Sequence, residues 1–185
     1  KDYVNKCFIP IFCNYLFSCS SHASSYFYFS NNVHIIKNGI DVGRYKYDEN
    51  ARSLVRSELG FSNTDIVLGH VGRFDQNKNQ TFLVDILSDL VKNNSNYKLL
   101  FVGDGETLDI IKDKVASLGL INNVLFLGNR SDVNLLYQAM DCFVMPSYYE
   151  GLPFVLVEAQ AAGLPCVISE TINDDAMLTS NIVKN

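Results

Sequence analysis

Residues 65–105 read DIVLGHVGRFDQNKNQTFLVDILSDLVKNNSNYKLLFVGDG. Residues 65–71 form a short, nearly continuous apolar run, which predicts a buried strand. A polar turn follows. Over residues 79–91, Phe82, Leu83, Ile86, Leu87, Leu90 and Val91 fall on one stripe at helical spacing. Residues 97–102, YKLLFV, give a second strand, stopped by Gly103-Asp104-Gly105. Strand, helix and strand of this kind imply a parallel sheet covered on both faces.

The rhythm continues outward. Residues 106–118 predict a second helix, with Gly119 where a C-terminal cap belongs, and residues 124–127 a third strand. Ser131 or Asp132 suits the cap of a third helix reaching Met140. A fourth strand is expected at 142–145. Pro153 suits the first turn of a fourth helix that Gly163 ends, and a fifth strand is expected at 166–169. The fold class is therefore α/β, a doubly wound parallel sheet of Rossmann-like type, in which ligands bind at the carboxyl ends of the strands. Residues 1–36 break the rhythm. They are aromatic and Cys-rich, with Phe8, Phe12, Tyr15, Phe17, Tyr26, Phe27, Tyr28 and Phe29, and read as helix, strand, helix and a strand ending at Ile36. Asn38-Gly39-Ile40-Asp41 reads as a turn and marks a boundary.

The chain has 185 residues, a formal charge of −5 and 48% hydrophobic residues. That is one domain and a remainder, large enough for a stable core. The acidic balance and scattered cations argue against nucleic acid, which needs a basic face. No apolar run reaches the roughly 18 residues of a membrane span. Cys7, Cys13, Cys19, Cys142 and Cys166 form no CxxC pair and read as small hydrophobes of a reducing compartment. His22 near Cys19 reads as structural, and His34 and His70 as ordinary, partly buried residues. Gly103-Asp104-Gly105 lacks the third Gly of a dinucleotide fingerprint and reads as a structural turn.

Two constellations carry chemistry. In Val71-Gly72-Arg73-Phe74-Asp75-Gln76-Asn77-Lys78-Asn79, Gly72 lets the backbone turn closely, and Arg73 and Lys78 stand beside a helix start. A fork and a mobile point charge at such a place suit a diphosphate; a solvated turn with two surface cations reads equally from the same residues. In Pro146-Ser147-Tyr148-Tyr149-Glu150-Gly151-Leu152-Pro153-Phe154-Val155-Leu156-Val157-Glu158-Ala159, Glu150 lies in a loop and Glu158 inside an apolar helix. A carboxylate so placed wants a partner. Sugar hydroxyls and a salt-bridging cation both qualify.

Together these motifs resemble family 4 of the retaining glycosyltransferases, also called the group 1 family. The resemblance runs from about Ser18 to Ser169 and rests on VGRFDQNKN, LLFVGDGE, NVLFLGNRSDV, AMDCFVMPSYYEGLPFVLVEAQAAGLPCVIS and the earlier NGID. It is nearest to enzymes of bacterial capsule and exopolysaccharide synthesis. It implies the C-terminal, donor-binding half of a two-domain GT-B architecture. Residues 1–37 would be a remnant of the acceptor-binding domain, 38–48 the hinge, and 49–185 a C-terminally truncated nucleotide-sugar-binding domain. Arg73 and Lys78 would hold the donor's diphosphate, with Gly72 at the turn. Glu150 would contact the transferred sugar, and Glu158 the ribose. Gly151, Leu152, Phe154 and Val155 would approach sugar and phosphate by their backbone, and Asn129 and Arg130 would flank the base. Asp174-Asp175 stands where relatives carry a Glu and is unassigned. The resemblance implies that a Gly-rich loop of the N-terminal domain and final helices across the hinge lie outside these 185 residues.

The resemblance thus implies transfer of a sugar from a nucleotide diphosphate sugar, uridine-linked, to a glycan or lipid-linked acceptor with retention. No cofactor or metal is expected, and no Asp-x-Asp pair stands ready to hold one. The expected location is cytoplasmic, or peripheral at the inner face of the membrane. A non-catalytic nucleotide-binding module and a parallel-sheet sugar-nucleotide epimerase are the rival readings. As a fragment, the chain is expected to be inactive alone and to self-associate through residues 1–36.

Overall fold

The computed structural model describes residues 14–20, 24, 33–37 and 39–185. Two short strands, β1 (Leu16–Ser18) and β2 (Val33–Ile35), pair in parallel as a sheet of their own. The remaining strands are β3 (Ile66–Val71), β4 (Tyr97–Val102), β5 (Val124–Phe126), β6 (Cys142–Met145), β7 (Cys166–Ile168) and β8 (Ile182–Lys184). They form one parallel sheet in the order β5-β4-β3-β6-β7-β8. Within this sheet that is the doubly wound order, third-second-first-fourth-fifth-sixth, with its switch point between β3 and β6. The helices are α1 (Glu49–Glu58), α2 (Gln80–Asn93), α3 (Leu108–Ser117), α4 (Val133–Ala139) and α5 (Phe154–Ala161).

Side-chain alternation along the strands feeds a core on each face. Leu99, Phe101 and Val144 pack with Leu83, Leu87, Ile111 and Val115 on one side. Leu100, Phe143 and Met145 pack with Leu136, Tyr137, Leu156 and Ala159 on the other. The five expected strands and four expected helices are present, shifted at their ends by one or two residues. Gly119 and Gly163 take φ +69° and +78° just past α3 and α5, the left-handed conformation in which a helix commonly stops. Cys166 is buried, and burial pushes its thiol up to about 12. Cys7, Cys13, His22 and all but Ser24 of the two N-terminal helices expected before Ile36 lie outside the described residues, as does Asn38.

Two elements have no counterpart in the sequence reading. The first is α1, a polar helix within the segment ENARSLVRSE, whose apolar stripe is thin. Its N-terminus is capped by Asp48, which accepts from Asn50 N at 2.8 Å and Ala51 N at 3.1 Å. Its anchor is ionic: Arg52 and Arg56 both reach Asp141, at 2.5 and 3.2 Å. Arg56 also donates to the carbonyls of Ala139, Ser62 and Asp65. Asp141 in turn accepts from Val67 N at 2.7 Å, so this cluster ties α1 to the starts of β3 and β6. The second is β8, a three-residue edge strand too short to show a period. A third difference concerns the cap of α4. Asp132 stands at the N-cap, but its carboxylate makes no cap bond, because Arg130 holds it.

The turns after β3 and β4 lie backbone to backbone. Gly72 N donates to Val102 O at 2.9 Å and Phe74 N to Asp104 O at 3.0 Å, so pairing continues past the strand ends. A Cβ on Gly103 (φ +132°) would stand 2.0 Å from Gly72 O, and one on Gly105 (φ +157°) 2.2 Å from Phe74 O. The Gly-Asp-Gly motif is the structural turn expected of it. Gly103→Ala is expected to cost about 2 kcal/mol or more, from backbone strain and a clash with a carbonyl that has nowhere to go. Urea unfolding checks this; an unchanged midpoint would show that the two turns can part freely.

Candidate functional site

The carboxyl ends of β3, β4, β5 and β6 deliver the expected site residues to one edge of the sheet. Between the turns after β3, β4 and β5 lies an open cleft of about 700 Å³. Gly72, Arg73, Asn129 and Arg130 line it together, with Gly103, Asp104 and Gly105 as its wall. Arg73 is exposed, and its guanidinium makes no hydrogen bond or ion pair among the described residues. Arg130 differs. Its guanidinium grips Asp132 through two bonds of 2.8 and 2.6 Å, and that grip holds the Asp132 carboxyl below the usual carboxylate range.

Lys78 and Glu150 meet across the switch point as an ion pair, with side chains 19% and 12% exposed. So little exposure makes the pair more than a surface contact. The backbone around it is clasped. Tyr148 N donates to Asn77 O at 2.8 Å, Asn77 Nδ2 to Tyr149 O at 2.7 Å and Asn79 Nδ2 to Pro146 O at 3.4 Å. Asn79 takes φ +52°, the sole left-handed non-glycine among the described residues, and turns the chain from the short 3-10 segment Gln76–Lys78 into α2. The basic turn after β3 and the loop after β6 are thus one unit.

Glu158 sits apart from the cleft lining. Its Oε1 accepts from Tyr45 Oη at 2.9 Å, and its Oε2, at 3.0 Å, shares the single Tyr137 Oη proton with Val155 O at 3.1 Å. Burial, with the Glu158 bonds adding to it, raises both phenols above their ordinary range, Tyr137 well above it. The partner that an apolar helix demands for its Glu is therefore not a cation but a pair of phenols. Gly151, Leu152, Phe154 and Val155 run from the Glu150 loop into the start of α5, where Pro153 supplies no side-chain cap and the first N–H groups remain open to a ligand. Among the described residues, no three His, Cys, Asp or Glu side chains cluster as metal ligands would. None of the described helices is long and apolar enough to cross a membrane.

Sequence reasoning missed three contributors. Tyr45 was passed over within the hinge segment, and Tyr137 reads from sequence as one more apolar helix position. His70, expected to be partly buried, is wholly buried in β3 beneath the basic turn. Its Nδ1 donates to Val144 O at 2.9 Å, since a carbonyl can only accept. Its ring stacks on Phe143 and meets Phe101 edge-on.

A family model described as "Glycosyl transferases group 1" matches residues 51–175. The chain belongs to that family of glycosyltransferases, as its motifs suggested. It is 36% identical over 164 residues to the putative glycosyltransferase EpsF of Bacillus subtilis, covering 86% of this chain and 43% of that protein. It is 32% identical over 152 residues to an Escherichia coli UDP-Gal:alpha-D-GlcNAc-diphosphoundecaprenol alpha-1,3-galactosyltransferase, covering 80% and 39%. Among solved structures, Anabaena HepE in complex with UDP-glucose superposes with a TM-score of 0.87 at 26% identity, over all of this chain and 53% of that one. The chain thus spans less than half the length of these two curated relatives and about half of HepE. The match to GT-B enzymes agrees with the doubly wound sheet read from the sequence.

His70 sets a pH dependence of stability. Burial pushes its imidazole down to about 4, against about 6.5 unfolded. Below pH 6.5 the unfolded chain takes up a proton that the folded chain refuses. The His70 contribution is therefore complete above about pH 6.5 and lost as pH falls toward 4, about 3 kcal/mol in all. In His70→Phe that part of the slope is expected to vanish when urea midpoints are followed from pH 7 to pH 4. Parallel curves for the two proteins would show that His70 is not the group responsible.

Proposed function

We propose that the protein carrying this chain transfers a glycosyl unit from a UDP-sugar to a glycan or lipid-linked acceptor with retention, in capsule or exopolysaccharide synthesis. The chain itself would hold the donor. The observation that carries this reading is Arg73, an unpaired guanidinium at the carboxyl end of the central strand, facing a cleft it shares with Asn129 and Arg130. A free cation at the carboxyl end of the strand that borders the switch point suits an anionic nucleotide. HepE, with the same fold, has been crystallised with UDP-glucose, and the E. coli relative is named for a UDP-sugar donor and a diphosphoundecaprenol-linked acceptor.

In this reading the nucleotide lies along the cleft, with its base beside Asn129 and Arg130 and its diphosphate at Gly72, Arg73 and Lys78. The sugar points to Glu150 and the backbone of Gly151, Leu152, Phe154 and Val155. Glu158 takes the ribose hydroxyls, since each of its oxygens keeps a lone pair beyond its phenol bond. As the glycosidic bond breaks, negative charge grows on the diphosphate. Arg73, Lys78 and the open N–H groups at the start of α5 then bind it best, supplying the charge that a metal supplies elsewhere. The acceptor belongs to the N-terminal half that the family architecture implies, and residues 1–37 are proposed to be part of it. Tyr15 and Phe17, both exposed, would belong to the apolar face through which an isolated chain self-associates. A cytoplasmic location, peripheral at the inner face of the membrane, would suit a lipid-linked acceptor.

The whole protein, supplied with UDP-sugars and acceptor glycans, tests the reading. Release of UDP that depends on acceptor supports it, whereas UDP binding without release would assign the chain to a nucleotide-binding module. Arg73→Ala is expected to lower turnover about 10²–10³-fold, with a smaller change in the donor KM. Unchanged turnover would make Arg73 a surface residue. The two carboxylates separate by calorimetry. Glu158→Gln is expected to weaken UDP and UDP-sugar alike, because ribose is common to both. Glu150→Gln is expected to leave UDP binding at least as tight while transfer falls. Equal losses on both ligands in Glu150→Gln would remove the sugar from its environment.

A further inference from the structure

The Nε2 atom of His70 is a buried acceptor without a hydrogen-bond partner. The bond from Nδ1 to Val144 O fixes the tautomer, so Nε2 carries a lone pair and no proton. An acceptor buried in this way is costly. The bond to Val144 O accounts for Nδ1 alone; the rest of the ring lies between Phe101 and Phe143, which offer Nε2 no donor. A donor that reaches Nε2 in another state of the site would account for the choice.

The surroundings name that donor. A point 3.4 Å from Nε2, where a Cβ on Gly72 would stand, is 3.8 Å from Lys78 Cε. The absence of a side chain at Gly72 thus leaves an opening between the imidazole and the lysine stem. Lys78 is the flexible cation beside it, and its charge is felt at the ring. In the structure its ammonium is committed to Glu150. An ammonium has three donors in three directions, and a ligand phosphate competes with Glu150 for it.

We propose that His70 is a positioning residue for Lys78: when a diphosphate draws the ammonium away from Glu150, Nε2 accepts one of its N–H groups and holds it over Gly72. The proposal rests on the diphosphate reading of this turn. It gives the orphaned lone pair a partner and gives Lys78 a second defined place, so that the cation meets the phosphate preorganised rather than on a free stem.

A double-mutant cycle on the whole protein, with UDP as the probe in calorimetry, tests it. His70→Phe is expected to weaken UDP binding about tenfold where Lys78 is present and not at all in the Lys78→Ala background. Thermal melting at neutral pH is expected to show His70→Phe folded and near the parent's midpoint, since the variant exchanges the orphaned Nε2 for a Val144 carbonyl without its His70 donor. His70→Gln places an amide oxygen within reach of the Nε2 position and is expected to recover most of the affinity. His70→Asn reaches only Val144 and is expected not to. An equal loss in both Lys78 backgrounds, no loss in either, or rescue by Asn as good as by Gln would overturn the proposal. If His70→Phe does not fold, the Gln and Asn variants in the two Lys78 backgrounds decide alone. Unchanged UDP binding in Lys78→Ala itself takes down the diphosphate reading, and the part of His70 with it.

Discussion

The candidate site depends on a close backbone contact at the end of the sheet. The chain after β3 and the chain after β4 go on pairing beyond the last strand residues, and Gly103 and Gly105 make room for the carbonyls of Gly72 and Phe74. That contact fixes one side of the turn, so the turn diverges only toward β6. Arg73 therefore leaves the sheet into the cleft, while residues 76–79 cross to the loop after β6. The doubly wound order puts a switch point between β3 and β6. The glycine contact decides which residues stand at its mouth.

Charge at the mouth is mostly neutralised in advance. Lys78 is balanced by Glu150 and Arg130 by Asp132, and Arg73 stands unpaired. Among the described residues, an anion approaching this edge meets one free cation and two that must be shared. The two are not equivalent. Arg130 and Asp132 are about a third exposed, where ion pairs contribute little and rearrange easily. Lys78 and Glu150 are far less exposed, so either charge left alone there would be costly. A ligand that takes Lys78 must leave Glu150 with something to accept from. A nucleotide sugar brings both halves of that exchange, phosphate oxygens for the lysine and hydroxyls for the carboxylate. A bare nucleotide brings the phosphates and ribose hydroxyls but not the hydroxyls of a transferred sugar.

The sequence was legible where a single period governs. The strands of β3, β4 and β6 are nearly all apolar because both faces of the sheet are covered, and the stripe of α2 needs no tertiary knowledge. Arg73, Lys78, Glu150 and Glu158 stood out because charged residues interrupt that pattern. What escaped detection is held by partners distant in sequence. Residues 49–58 carry too few apolar positions to announce a helix, since α1 is fixed by Arg52 and Arg56 on Asp141, more than 80 residues away. His70 looks like any polar residue in a strand until Val144, Phe101 and Phe143 are seen around it. The cap expected from Asp132 failed for the same reason in reverse, because Arg130, two residues off, outcompetes the helix N-terminus.

Glu158 shows how far such a reading reaches. Its sequence setting demanded a partner and left the identity open between a cation and sugar hydroxyls. The structure supplies hydroxyls, from Tyr45 in the segment before α1 and Tyr137 in α4. Neutral donors orient a carboxylate without cancelling its charge. A lysine, as at Glu150, cancels it. The two glutamates, one in the loop and one in α5, therefore face a ligand on different terms. Glu158 keeps its orientation and a lone pair on each oxygen for further donors, with no cation bound to it in the structure. Glu150 becomes available only when Lys78 finds another anion.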